Sequence, residues 1–185
     1  MSRELLPIDS ELPKVLEALE SDGCAVVRAS PGAGKTTRIP PAVERALGPA
    51  KGQIWMIEPR RMAARTAARR LARGHGSTVG HYAGYRVRFD HKVTRDTRVV
   101  VATQGILLRH LQSNPLLEGV GAVIFDEFHE RQLDVDLALA MVSQVRKTLR
   151  EDLKIIVMSA TLDPIPISEW LGGCPVIDLS LIHIS

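Results

Sequence analysis

Five short runs, at residues 24–27, 54–57, 99–102, 122–125 and 155–158, are apolar at every position, with none of the alternation of a half-exposed strand. A strand can read this way only if both its faces are covered, which is the condition of a parallel sheet between two helical layers. The intervening stretches agree. Leu12, Val15, Leu16 and Leu19 fall at helical spacing over residues 10–20, behind Asp9 and Ser10, which can cap them. Further helices are expected over 35–47, where Gly48-Pro49 stops the run, and over 61–72, 104–111, 133–149 and 167–171. The strands are expected over 24–27, 53–57, 98–102, 120–125 and 155–158, with 81–88 extended and a last strand over 176–179. The expected fold is α/β, three layers around a mostly parallel sheet. At 185 residues, 45% hydrophobic and 24% charged, the chain has room and core for one domain. No apolar run approaches the ~20 residues of a membrane span. Residues 1–10 carry Arg3, Glu4 and Asp9 and no signal segment, so the cytoplasm is the expected compartment.

Between the first strand and the second helix stands Ser30-Pro31-Gly32-Ala33-Gly34-Lys35-Thr36-Thr37. Gly32 and Gly34 let the backbone curl so that successive N–H groups form an anion nest, and the helix beginning near Lys35 points its positive end at the same spot. Lys35 would reach the β- and γ-phosphates, and the Thr36 hydroxyl would ligate Mg²⁺. The general pattern G-x-x-x-x-G-K-[ST] has Ala29 here in place of its first Gly.

A second polar cluster follows the strand at 120–125. Asp126-Glu127 lies at the C-terminal end of a parallel strand, where open α/β sheets bind ligands. Asp126 is placed to hold Mg²⁺ through water, and Glu127 to polarise the water that attacks a γ-phosphate. Taken alone, an acidic pair there is equally the solvated start of a helix. With the phosphate turn upstream, hydrolysis fits better than nucleotide storage.

Net charge is +3, and Arg supplies 18 of the 24 basic residues. No acid occurs from residue 60 to 88, where Arg60, Arg61, Arg65, Arg69, Arg70, Arg73, Arg86 and Arg88 gather. This is the footprint of a polyanion contact, although a GC-rich genome would also favour Arg over Lys. Cys24 and Cys174 lie 150 positions apart with no CxxC, so each is expected to be a buried, inert thiol rather than part of a disulfide or zinc site.

The string Asp126-Glu127-Phe128-His129-Glu130-Arg131 resembles the D-E-x-H box of superfamily 2 helicases of the DEAH/RHA group. Other strings agree in order and spacing. Gly32 to Thr37 resembles motif I, and Glu58-Pro59-Arg60-Arg61-Met62-Ala63-Ala64 resembles motif Ia. Gly84-Tyr85-Arg86-Val87-Arg88-Phe89, Thr103-Gln104-Gly105-Ile106-Leu107 and Ser159-Ala160-Thr161 resemble the group's G-Y-x-[VI]-R-F strand, motif Ib and motif III. Within the group the likeness is to bacterial members of the HrpB type.

The resemblance implies a RecA-like P-loop NTPase domain and an ATP-dependent helicase using ATP and Mg²⁺. Gly32, Ala33, Gly34, Lys35, Thr36 and Thr37 would hold the phosphates and metal, with Asp126 and Glu127 acting as above. His129 would link hydrolysis to the motif III turn or the partner domain. Ser159 and Thr161 would relay between nucleotide and nucleic acid, and Arg70 would stack on the adenine. Arg60, Arg61, Thr103 and Gln104, with Arg86 and Arg88, would touch the backbone of single-stranded RNA or DNA. Motifs IV to VI, which the family carries on a second RecA-like domain with the arginine fingers, are absent. Residues 1–178 are therefore expected to be the first RecA-like domain, weakly active alone, and 179–185 a truncated or non-native tail. The other class of function is an interaction module that kept the fold without turnover. A non-helicase phosphate-loop enzyme fits the D-E-x-H and Ser-Ala-Thr strings poorly.

Overall fold

The computed structural model describes residues 5–130 and 132–179, so Arg131 and residues 180–185 of the expected tail lie outside the described part. Among the described residues the chain forms eight strands and six α-helices. In chain order these are α1 (Leu12–Ser21), β1 (Cys24–Arg28), α2 (Lys35–Leu47), β2 (Gln53–Glu58), α3 (Arg61–Gly74), β3 (Ala83–Val87), β4 (Asp90–Lys92), β5 (Val99–Thr103), α4 (Gln104–Ser113), β6 (Val120–Phe125), α5 (Leu133–Thr148), β7 (Lys154–Ser159), α6 (Ile165–Trp170) and β8 (Val176–Asp178).

The strands make one sheet in the order β4-β3-β5-β2-β6-β7-β1-β8, parallel throughout except for the β3–β4 pair. The apolar runs of the sequence are its middle. β2, β5, β6 and β7 bury their apolar residues completely or nearly so. One face, with Ala25, Val27, Ile54, Met56, Ile124 and Ile156, packs under α1, α2 and α3. The other, with Val26, Trp55, Ile57, Val123, Phe125 and Val157, packs under α4, α5 and α6. Because β1, β2, β5, β6 and β7 run in one direction, their C-terminal ends share one edge, and every loop that leaves this edge emerges beside the others.

Two local expectations are corrected, and a third, the extended stretch at 81–88, is met by β3 with a second arm added. Asp9-Ser10 does not cap α1. Pro7–Ser10 is a 3-10 turn, and the Asp9 carboxylate accepts from Leu6 N (2.8 Å) and pairs with Arg38 (3.1 Å). The extended stretch after residue 81 is one arm of an antiparallel hairpin whose second arm, Asp90-His91-Lys92, is too short and polar to carry a strand pattern. The cysteines are not free. Both are buried, but Cys24 and Cys174 are joined in a disulfide with Cα atoms 5.5 Å apart. Sequence separation concealed this because β8 returns to pair with β1. Val26 lies opposite Val176, which sets Cys24 and Cys174, two residues earlier on each strand, side by side.

Candidate active site

The phosphate turn leaves the end of β1. Ala29 N donates to Ser159 O at the end of β7 (3.1 Å), which ties the start of the loop to the neighbouring strand. Ala29 is fully buried and is not among the residues with positive φ, so a side chain is tolerated where the general pattern has glycine. Gly32 and Gly34 do need their freedom, at φ 82° and 97°. Gly34 is the N-cap of α2, so the N–H groups of Lys35 and Thr36 open the helix at the loop. Lys35 is 5% exposed, and its Nζ donates to Ala29 O and to Ser30 O (3.3 Å), across the inside of the loop. Burial lowers its pKa, against the opposing pull of Asp126 and Glu127.

The loop's back is held by a part of the chain that carries no recognisable motif. Ile8 N donates to Ala33 O (3.0 Å), and Leu6 and Ile8 pack against Gly34 so closely that a Cβ there would stand 2.7 Å from Leu6 Cδ1. Asp9 secures the same segment to Arg38 of α2.

The acidic pair sits where β6 ends. Asp126 N donates to Ile57 O (2.9 Å), so the residue is tied to the end of β2. Its Oδ2 accepts from the Thr36 hydroxyl (2.6 Å) and its Oδ1 from Glu127 N (2.8 Å). Two segments 90 residues apart thus meet at the point where a cation bound to phosphate oxygens would lie. Among the described residues no group of three or more His, Cys, Asp or Glu could hold a metal by itself. A hydroxyl and one carboxylate beside an anion nest suit Mg²⁺, which keeps its waters and takes phosphate oxygens as ligands.

Glu127 has φ 50°, a left-handed conformation costly for a residue with a side chain and concentrated at functional sites. Its carboxylate is 3.0 Å from His129 Nε2, and His129 Nδ1 accepts from Ala160 N (3.3 Å). The Nδ1 acceptor role places the ring proton on Nε2, facing Glu127. His129 therefore bridges the acidic pair to the Ser159-Ala160-Thr161 turn. Ser159 is buried with its Oγ accepting from Leu162 N (3.1 Å), whereas Thr161 is exposed. Burial first, and the charge of Asp126 second, raise the Glu127 pKa above the ordinary carboxylate value.

Glu58 is the site residue that sequence reasoning missed. It ends β2, is 3% exposed and hydrogen-bonds Asp126. Burial foremost, then the negative charge of Asp126, push its pKa from 4.5 up to about 9. The carboxyl keeps its proton at neutral pH and donates it to Asp126. Its signals in the sequence were an acid closing a buried strand and its place at the head of the string that resembles motif Ia. A raised folded-state pKa gives stability that is complete below about pH 4.5 and is lost as pH rises toward about 9. Thermal unfolding from pH 6 to 9 is expected to show a progressive loss, on the order of 1–3 kcal/mol. Glu58→Gln, which keeps a donor without a charge, is expected to flatten that slope, whereas an unchanged slope would place the proton elsewhere.

The remaining sequence candidates divide. Arg60 and Arg61 follow β2, Thr103 and Gln104 join β5 to α4, and Arg88 follows β3, all on the C-terminal edge. Arg60 is exposed and forks onto Glu130 (3.1 and 3.3 Å), and Gln104 Nε2 donates to Gln132 Oε1 (2.5 Å). Arg70 is exposed in a cleft of about 190 Å³ beside Thr37, Arg38, His75 and Tyr82, next to the phosphate turn. The basic zone does not form one surface. Arg65 is committed to Asp90 (2.7 Å) on the α3 side, whereas Arg86 turns to the α4 side, over Trp55.

Comparison with known proteins agrees with this geometry. A model of the DEAD/DEAH box helicase family matches residues 13–169. The chain is 44% identical over 172 residues to the ATP-dependent RNA helicase HrpB of Escherichia coli, covering 93% of this chain and 21% of that protein. It is 38% identical over 177 residues to the probable ATP-dependent RNA helicase DHR2 of Saccharomyces cerevisiae, covering 95% of this chain and 24% of the other. A crystal structure of E. coli HrpB superposes with a TM-score of 0.86 over 94% of this chain and 22% of that one, at 44% identity. A second superposes with a TM-score of 0.88 over 96% and 22%, at 43% identity. The expected three-layer RecA-like architecture is thereby established, and the chain spans about a fifth of the length of these relatives.

Proposed function

Since the chain belongs to the DEAD/DEAH box helicase family, we propose that it is the ATP-hydrolysing domain of an RNA helicase, and that the convergence of Lys35, Thr36, Asp126 and Glu127 at one sheet edge is its catalytic centre. The observation that carries this is the 2.6 Å contact between Thr36 and Asp126, with Lys35 in the same loop and Glu127 next in the chain. The N–H groups between Gly32 and Thr37 and the Lys35 ammonium would receive the β- and γ-phosphates. Thr36 and Asp126 would hold Mg²⁺, which when bound neutralises charge on the phosphate oxygens. Glu127 would orient a water so that its oxygen attacks the γ-phosphorus while the bond to the β,γ-bridging oxygen breaks, and would take up the proton the water releases. Its raised pKa brings its affinity for that proton closer to working pH.

His129 hands the position of Glu127 to the Ala160 turn, a mechanical link from nucleotide state to the segment after β7. Along the same edge Arg60, Arg61, Arg88, Thr103 and Gln104 would meet the sugar–phosphate backbone of a single strand, positioning it without reading sequence. RNA is the favoured substrate because the relatives are named as RNA helicases. A second RecA-like domain in the longer protein would complete the cleft and supply arginine fingers, worth roughly 10³–10⁵ in rate. Alone, the chain would hydrolyse ATP slowly.

The test is ATP turnover and duplex unwinding by the longer protein, with and without single-stranded RNA. RNA-stimulated turnover coupled to unwinding is expected. Turnover indifferent to every nucleic acid would contradict the helicase reading.

A further inference from the structure

A cleft of about 410 Å³ opens between the β3–β4 hairpin and α4, on the opposite side of the sheet from the phosphate loop's helix. Four of its lining side chains are basic or imidazole: Arg86, His91, Arg109 and His110. None of its lining residues is acidic. Sheet geometry explains the sorting. In the antiparallel hairpin Arg86 lies opposite His91 and Val87 opposite Asp90, and alternation sends Asp90 to the other face. There Asp90 accepts from Arg65 (2.7 Å) and the Tyr85 hydroxyl (3.1 Å). The hairpin thus turns Arg86 and His91 to the cleft face, and Asp90 with Lys92 to the other. On α4, Ile106, Arg109, His110 and Ser113 share one helical face and form the cleft's other wall.

The floor is built. Trp55, 2% exposed, stacks against His110 with ring centroids 4.5 Å apart at 20°, and the Arg86 guanidinium carbon lies 5.9 Å from its centroid. Arg86 is half-buried in the cleft wall, its Nε enclosed by protein and without a hydrogen-bond partner among the described residues. Burial and the charge of Arg86 lower the His110 pKa, and Arg86 and Arg109 give the cleft its permanent positive charge. One end of the cleft adjoins the rim, since α4 begins at Gln104 and β3 ends one residue before Arg88.

We propose that this cleft is a second phosphate station for nucleic acid, holding a phosphodiester of single-stranded RNA that extends past the rim between Arg86 and Arg109. The proposal rests on the nucleic-acid reading of the rim and extends it to the α4 face. Contact there positions the strand and adds affinity without sequence preference.

The experiment uses the 185-residue chain, fluorescein-labelled oligouridylates from about 6 to about 20 nucleotides, and anisotropy over a salt series. Arg109 is exposed, so Arg109→Gln leaves the core intact. Affinity is expected to rise with length in the unaltered chain. Arg109→Gln is expected to weaken the longest probe about 3–10-fold, to leave the shortest unchanged, and to reduce the salt slope on the long probe by about 0.7. A Trp170→Phe background leaves Trp55 as the remaining tryptophan, and its emission should change with long probes and not with short ones. Unchanged long-probe affinity in Arg109→Gln, with the unaltered chain binding RNA, overturns the cleft and leaves the rim reading standing. Equal weakening at every length overturns it too, because the residue would then act only as general charge. Displacement of long RNA from Trp55 by polyglutamate at matched ionic strength, but not by short RNA, would assign the cleft to an acidic protein segment and also overturn it. Failure of every probe to bind the unaltered chain would instead sink the nucleic-acid reading, and the cleft with it.

Discussion

Glu127→Gln in the longer protein is expected to cut ATP turnover by about 10²–10⁴ while leaving ATP affinity within about threefold. The amide keeps the shape and volume of the side chain and can still contact His129, so the left-handed backbone at residue 127 and the Asp126–Thr36 contact have no reason to move. What is lost, on the proposed mechanism, is the group that would accept the water's proton. The pH profile separates this from a structural effect. On that mechanism turnover requires the ionised carboxylate, and burial beside Asp126 raises its pKa. The rising limb of the unaltered enzyme should therefore lie closer to neutrality than an ordinary glutamate would place it, and the residual activity of the variant should lack that limb. Turnover within a few-fold of the unaltered protein would remove Glu127 from the chemistry. Loss of ATP binding would show that its role is to hold the site's shape.

The second large effect is expected at Gly34. Gly32 and Gly34 both have positive φ, but their surroundings differ. A Cβ on Gly32 meets nothing within 4 Å, whereas one on Gly34 would sit 2.7 Å from Leu6 Cδ1 and 3.0 Å from Ile8 Cγ2. Gly32→Ala is expected to cost about 1–2 kcal/mol from the backbone alone. Gly34→Ala carries the same strain and must also push the segment of Leu6 and Ile8 off the loop, a further cost of roughly 1–3 kcal/mol in displaced packing. Chemical denaturation without nucleotide should rank the two variants in that order. ATP affinity should fall about 10²-fold or more in Gly34→Ala, because the N-cap that aims the first N–H groups of α2 is the part displaced. Equal stability of the two variants would mean that the Leu6–Ile8 segment does not buttress the loop.

That segment marks where the sequence stopped being legible. The strands were readable because burial on both faces removes alternation, and nothing else produces five such runs. The proposed quartet was readable because the phosphate turn follows β1 and the acidic pair follows β6, and a parallel sheet brings the loops after its strands to one edge whatever their separation. β1 takes part in both long-range contacts: the turn after it reaches Asp126 across β7, and its pairing with β8 sets Cys24 beside Cys174. A disulfide between strand ends 150 residues apart has no spacing signature and emerges only from the strand order. Leu6 and Ile8 reach the phosphate turn through ordinary apolar contact, so no residue type marked them. Glu58 was visible as an acid, but its protonation depends on burial against Asp126 from a different strand.

The arginines teach the converse. In sequence they form one uninterrupted zone. In the fold, helix and strand periodicities split it, sending Arg65 to Asp90, Arg60 to Glu130 and Arg86 to Trp55. A charge run gives the sign of a surface, and only the pleat and the helix turn decide which surface it is.

The most direct measurement is calorimetric titration of the 185-residue chain with ATP in the presence and absence of Mg²⁺, repeated on Lys35→Ala and Asp126→Asn. A single Mg²⁺-dependent site is expected, competed by ADP. Lys35→Ala should weaken it by at least about 10²-fold, since the variant leaves a triphosphate facing two carboxylates with no cation from the loop. Asp126→Asn should lose the magnesium dependence. A folded chain that binds no ATP, or variants that bind it as the unaltered chain does, would contradict the account at its centre.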